Sequence, residues 1–166
     1  LCRFVAAVPI LLSPSAVAAP VAAPQPASGS AMVLGSLSVA KRADLDFGAL
    51  IVNGAGTAVI NPVAGTLSTT GGVTAFGSAA RPAVFTGTGS RNSVVLIRIP
   101  KDPITLTRMG GTETVTVSSW TLDGDKNRKI PLGNAFDFAV GATLTVGAGL
   151  ADGTYVGSFD VTVQYP

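Results

Sequence analysis

The C-terminal segment of the chain decides its fold class. It reads Gly153-Thr154-Tyr155-Val156-Gly157-Ser158-Phe159-Asp160-Val161-Thr162-Val163-Gln164-Tyr165-Pro166. Every second residue of its later part is apolar, namely Phe159, Val161, Val163 and Tyr165, and polar residues stand between them. Strict alternation is the period of a β-strand that buries one face. We therefore expect one strand over 153–165, with the chain still inside its sheet where the sequence ends.

The strand period continues through the rest of the chain from residue 31 onward. Thr and Val are frequent, and both are at home on a pleated surface. The candidate strands are 31–40, 45–52, 57–61, 82–88, 93–99, 103–108, 113–122, 135–146 and 153–165. Turn formers separate them, among them Asn53-Gly54, Thr70-Gly71-Gly72 and Asp123-Gly124-Asp125. This pattern predicts an all-β, antiparallel sandwich, with Trp120 in its core.

Composition argues against an enzyme. The chain contains no His, which excludes Ser-His-Asp and Cys-His catalysis and imidazole-ligated metal sites. The stretch from Asp123 opens like a calcium loop, but Arg128 stands where that loop needs Gly, and Asn134 where it needs Glu. No basic stripe alternates with aromatic residues, so nucleic acid is not an expected partner. We expect no catalytic residue, no metal and no cofactor.

The first thirty residues predict export. Arg3 precedes a short apolar run, and Ala16-Val17-Ala18 supplies the small residues that a signal peptidase reads. We expect a signal peptide over 1–18, cleavage between Ala18 and Ala19, and no stable membrane span afterwards. The only Cys, Cys2, falls within that segment, so the mature protein would have no disulfide. Residues 19–30 contain three prolines and predict a flexible tether.

The residues after the tether also alternate. A row of small or apolar side chains consists of Ala31, Val33, Gly35, Leu37 and Val39. A strand behind a flexible tether can reach a neighbouring molecule, or it can form the first strand of its own domain. Alternation alone favours neither interpretation.

Two landmarks resemble the DUF4402 family. The segment Ala43-Asp44-Leu45-Asp46-Phe47-Gly48 resembles its A-D-L-x-F-G opening, and residues 144–159 resemble its L-x-V-x-x-x-x-x-x-G-x-Y-x-G-x-F pattern. The same landmarks are similar to those of spore-coat-U-type pilins of archaic chaperone–usher pili. Chaperone–usher pilins also share a C-terminal signature, which this chain matches at Gly153, Phe159, Val161, Val163 and Tyr165.

The resemblance implies an incomplete immunoglobulin-like sandwich over 31–166, completed by a donor strand at about 31–39 of the next subunit. It implies a head-to-tail homopolymer, a periplasmic chaperone that first covers the C-terminal strand, and an outer-membrane usher. The expected function is a structural subunit of a bacterial surface fibre, exported through the periplasm to the cell surface. A secreted coat-layer protein and a carbohydrate-binding sandwich remain as alternatives, although the few aromatic residues do not cluster in the sequence.

Overall fold

The computed structural model of the chain describes residues 29–77 and 79–166. All of the regular secondary structure in these residues is β-strand. The strands are β1 (Ser38–Ala43), β2 (Ala49–Asn61), β3 (Thr66–Phe76), β4 (Ala83–Thr88), β5 (Val94–Arg98), β6 (Ile104–Arg108), β7 (Thr114–Leu122), β8 (Asn127–Lys129), β9 (Ala135–Val146), β10 (Tyr155–Val156) and β11 (Thr162–Gln164). The chain divides into two units, Leu1–Met32 and Val33–Pro166, and all of these strands belong to the second. The expected signal peptide, its cleavage site and most of the tether lie outside the described residues.

β9 organises the larger of two antiparallel sheets. β7 pairs along one of its edges, while β4 and β2 share the other. β4 takes Ala135–Val140, and β2 takes Thr143–Val146. A Cβ on Gly141, between the two pairings, would collide with the Ile60 carbonyl oxygen, so glycine is what lets β2 approach β9 here. The sheet runs β1-β4-β9-β7-β6-β10, with the β2–β3 hairpin added on β9.

The smaller sheet, ordered β11-β5-β8, covers part of the larger one. Val95 and Ile97 of β5 are fully buried, and they belong to the same apolar cluster as Phe85 of β4 and Phe138 of β9. The two phenylalanine rings stack with centroids 5.2 Å apart. We call this cluster the second core. Side chains from both sheets meet in it, so the predicted antiparallel β-sandwich is confirmed.

The first core lies inside the curled part of the larger sheet, among β2, β3, β6, β7 and β9. Its most buried members include Ala58, Ile60, Val117 and Ala142. Leu45 and Trp120 are half-buried and contact both cores. Trp120 therefore lies at the junction of the cores rather than deep within one. Its indole N–H donates to the Asp102 carbonyl, 3.1 Å away.

The predicted turns around residues 53–54 and 70–72 are wrong. Asn53-Gly54 lies within β2, which joins two predicted strands into one of thirteen residues. Thr70-Gly71-Gly72 lies within β3, a strand that the sequence did not predict. The glycines form a bulge between the paired strands, where a Cβ on Gly72 would come within 2.5 Å of the Gly54 backbone. Glycine is found here because two backbones approach closely. In a sequence, glycines of this kind look the same as glycines of a turn.

The expected continuous strand over 153–165 is also wrong in part. It is divided into β10, which pairs with β6 of the larger sheet, and β11, which pairs with β5 of the smaller one. The segment crosses from one sheet to the other, and this crossing interrupts its ladder. Another difference is β8, because no candidate strand was predicted over residues 127–129. No helix among the described residues is long and apolar enough to span a membrane.

Candidate strand-accepting groove

The first and last strands of the described residues are both edge strands. β1 pairs only with β4, and β11 pairs only with β5. The two strands belong to different sheets and lie close to each other, yet no ladder joins them. We use the term groove for the cleft between residues 38–52 on one side and residues 150–165 on the other. An edge that lacks a partner presents unpaired N–H and C=O groups, so the groove offers main-chain hydrogen bonds to an added strand.

Apolar side chains of the C-terminal segment form one wall of the groove. The structure places Phe159, Val161, Val163 and Tyr165 on one face, and all four pack against the second core. Each remains only half-buried. The Phe159 ring lies 4.6 Å from the Trp120 ring and meets the Phe85 ring edge-on at 6.4 Å. The predicted row therefore belongs to the core, but its cover is incomplete.

A cavity of about 610 Å³ lies at the end of the groove beside Gly153, away from Tyr165. Apolar side chains of the larger sheet and of the loop between β1 and β2 contribute to its lining, including Leu45, Phe47, Leu50, Leu106, Leu144 and Tyr155. Carboxylate-bearing residues that line it are Asp46 and Asp152. Residues of the A-D-L-x-F-G landmark and of the G-x-Y-x-G-x-F landmark thus meet at one cavity, although they are about a hundred positions apart in the sequence.

Local hydrogen bonds explain the first landmark. The Asp46 and Arg81 backbones form a bridge, with N–H···O distances of 3.0 and 2.8 Å. The Asp46 carboxylate accepts from the Gly48 N–H at 2.8 Å, and Gly48 has a φ of +69°. A side chain at Gly48 would be strained and would also press on the Ala80 backbone. This turn directs Phe47 into the first core, where it is buried.

The second landmark docks the C-terminal segment on β6. Gly153 has a φ of +152°, and a Cβ there would lie 2.7 Å from Arg108 Nε. That Nε donates to the Asp152 carbonyl at 2.8 Å. A Cβ on Gly157 would lie 2.8 Å from the Thr105 carbonyl oxygen. Both glycines therefore permit close approach to β6, and Tyr155 fixes the preceding loop by donating its hydroxyl to Ala151 O at 2.7 Å.

The N-terminal row is divided between solvent and its own domain. Val33 is 92% exposed, and Ala31 is exposed as well. Gly35 donates its N–H to Ser90 Oγ, and Leu37 packs against the second core. Val39 lies in β1, opposite Gly87 of β4. The sequence carried no signal for Ser90, because its turn meets Gly35 only in the folded chain.

Residues 37–165 match the family described as "Domain of unknown function (DUF4402)". The match covers most of the chain and includes both landmarks. The resemblance to this family is therefore confirmed, whereas the resemblance to spore-coat-U-type pilins stays a prediction. No curated protein and no solved structure matches the chain.

Proposed function

We propose that this chain, which belongs to the DUF4402 family, is a structural subunit of a bacterial surface fibre. An N-terminal segment of one copy enters the groove of the next copy and completes its sandwich, in the manner of donor-strand complementation. The observation that carries the proposal is the pair of neighbouring edge strands, β1 and β11, above a half-buried apolar row.

The apolar row supplies much of the driving force for this contact. Full burial of one such side chain contributes about 1.5–3 kcal/mol, so covering the exposed part of all four, about a third of each or less, contributes on the order of 1–4 kcal/mol. An added strand also pairs with the free edges of β1 and β11. Its hydrogen bonds fix the register and give both free edges a partner.

The donor is best placed before β1. Within the predicted segment 31–39, Ser38 and Val39 pair with β4 in their own domain, so their donation would open that ladder. Residues 29–34 precede the contacts of Gly35 with Ser90 and Tyr165, and six extended residues span about 20 Å. Met32 and Val33 are 85% and 92% exposed, which leaves two apolar side chains available to a neighbouring groove.

The geometry favours a neighbouring copy as acceptor. Gly35 contacts Tyr165, at one end of the C-terminal segment, whereas the cavity lies beside Gly153 at the other end. To fill its own groove, the N-terminal segment would have to reverse its direction at Gly35. A contact made head to tail between different surfaces does not close on itself and generates a filament.

Assembly of this kind also accounts for the proposed partners. The groove needs a temporary cover before a donor arrives, and a periplasmic chaperone supplies one by pairing with the C-terminal segment. An outer-membrane usher then exchanges the chaperone for the next subunit. Export by a cleaved signal peptide over 1–18 brings the chain to these partners and to the cell surface.

Negative-stain microscopy of the native protein tests the proposal. We expect filaments from the natural sequence and none from Val33→Asp, because the charge would enter an apolar groove. Val63→Asp is the matched control, since Val63 lies in the β2–β3 turn and is 74% exposed. Its filaments should be normal. Normal filaments from Val33→Asp, or none from the natural protein, would contradict the proposal.

A further inference from the structure

β3 is a long edge strand without the usual protection. It contains eleven residues and pairs only with β2 among the described residues. Its other edge has neither a ladder nor another backbone hydrogen bond within that part of the chain. Soluble proteins usually protect such edges by charge, proline or short length, because a free edge can pair with another molecule.

The other edge strands of this protein are protected in these ways. β1 carries Lys41 and Arg42, and β8 has three residues with Arg128 and Lys129 among them. β10 and β11 have two and three residues. In contrast, residues 47–80 contain no charged residue, and β3 has no proline. The protection is therefore missing at the longest edge.

The first half of β3 is the regular part of this edge. Gly71 has a φ of +68° and interrupts the strand. Before it, Thr66, Ser68 and Thr70 are exposed, and the residues between them are half-buried. This stretch therefore has a hydroxyl-bearing outer face and a free edge.

We propose that this part of β3 is an interaction surface for β3 of a second copy. The two strands pair antiparallel about Ser68, so Ser68 meets its counterpart and Thr66 meets Thr70 of the other copy. A two-fold contact brings like residues together, which would penalise any charged residue at its centre. The neutral, hydroxyl-rich sequence meets that requirement. Cross-strand Ser and Thr pairs also contribute favourably.

This surface is distinct from the groove, because β2 separates β3 from β9 and β3 contributes no residue to the cavity lining. One five-residue pairing is smaller than a stable protein interface, so the contact between two isolated chains is weak. Copies fixed along a fibre would present many such edges at once. Their combined effect would join fibres side by side.

Charges introduced at Ser68 test the proposal in the Val33→Asp background, for which the proposed function predicts no filaments. Sedimentation at low ionic strength should show a concentration-dependent dimer. Ser68→Lys and Ser68→Glu should each weaken it about tenfold or more, because like charges lie directly opposite. An equimolar mixture of the two variants should restore it. Thr145→Lys is the control, since Thr145 is exposed on β9 and has ladders on both sides.

Amide exchange provides a second measurement, which shows which residues the dimer contact covers. Residues 66–70 should gain protection as concentration rises, whereas residues 135–146 should not change. Absence of a dimer, equal dimerisation of all variants, or failure of the mixture would overturn the proposal. Protection of 66–70 at the lowest concentration would also overturn it, since another segment of the same chain would then cover the edge.

Discussion

The Tyr165 hydroxyl donates a hydrogen bond to the Gly35 carbonyl, 3.1 Å away, across 130 positions of sequence. The same hydroxyl accepts from the Ser90 N–H at 2.8 Å, and Ser90 Oγ accepts from the Gly35 N–H. These three residues fasten the start of the N-terminal segment to the end of the C-terminal one. Under the proposed function, this fastening lies where the donor leaves its own domain.

Removal of the Tyr165 hydroxyl should loosen the N-terminal segment. Tyr165→Phe keeps the ring in the second core but loses both of its hydrogen bonds. We expect the free energy of unfolding to fall by about 1–3 kcal/mol. The Gly35 amide should exchange faster. Tyr155→Phe is the matched control, because its hydroxyl bonds to Ala151 instead. Unchanged exchange at Gly35 in Tyr165→Phe would show that the contact does not hold the segment.

Gly141 should tolerate no side chain. Gly141→Ala would place a methyl group against the Ile60 carbonyl oxygen at the junction of β2, β4 and β9. Overpacking of this kind costs about 1–3 kcal/mol. Gly147→Ala is the control, because a Cβ there would meet nothing within 4 Å. Thermal unfolding should show a lower Tm for Gly141→Ala only. Equal Tm values for the two variants would mean that β2 does not approach β9 as described.

A charge on the apolar row should prevent accumulation of the subunit. Phe159→Asp would bury a carboxylate beside Trp120 and Phe85, at a cost of several kcal/mol unless water enters. Ser158→Asp introduces the same charge one position away, on an exposed residue. Immunoblots of periplasmic fractions should detect Ser158→Asp but little Phe159→Asp. Similar amounts of both variants would contradict the claim that accumulation requires this apolar row.

Acid should weaken the attachment of Glu113. Hydrogen bonds from its own backbone N–H and from the Arg108 side chain hold the pKa of this carboxyl below its ordinary value of 4.5. The folded-state pKa is thus depressed. Its stabilising contribution is present above the ordinary value and is lost as pH falls through the folded value. Glu113→Gln should therefore flatten the loss of stability below about pH 4.5 in acid titrations. An equal loss of stability at low pH in Glu113→Gln and in the natural protein would contradict the depressed pKa of Glu113.

Alternation predicted much of the fold because it reports which face of a strand is buried. It identified β4, β5, β6, β7 and β9 to within two residues at each end. It failed where glycines bring two backbones together, as at Gly56 and Gly71 of the β2–β3 hairpin. Turn propensity describes a residue alone, whereas a bulge depends on what lies across the ladder.

The candidate groove was predictable only in part. The row ending at Tyr165 was visible in the sequence, and so were the two family landmarks. Their meeting at one cavity was not, because it depends on how β2 and β10 are placed by β9 and β6. Residues 31–39 illustrate the same limit. Periodicity fits both a donor strand and β1, and only pairing shows that Val39 belongs to β1.

Disulfide capture between two copies tests the central claim most directly. The only cysteine of the sequence is Cys2, so a Cys2→Ser background isolates introduced pairs. Protein with Val33→Cys would be mixed with protein that carries Val161→Cys or Val163→Cys. The two partner positions allow for a shift in the register between the donor and the C-terminal segment. A disulfide requires Cα atoms within about 7 Å, so it forms only if the strands are adjacent. The account predicts a covalent dimer from the mixture with at least one of these partners. Val63→Cys should give none with either. No product from either Val33→Cys mixture, or equal product from the Val63→Cys control, would contradict donation of the N-terminal segment to a neighbouring groove.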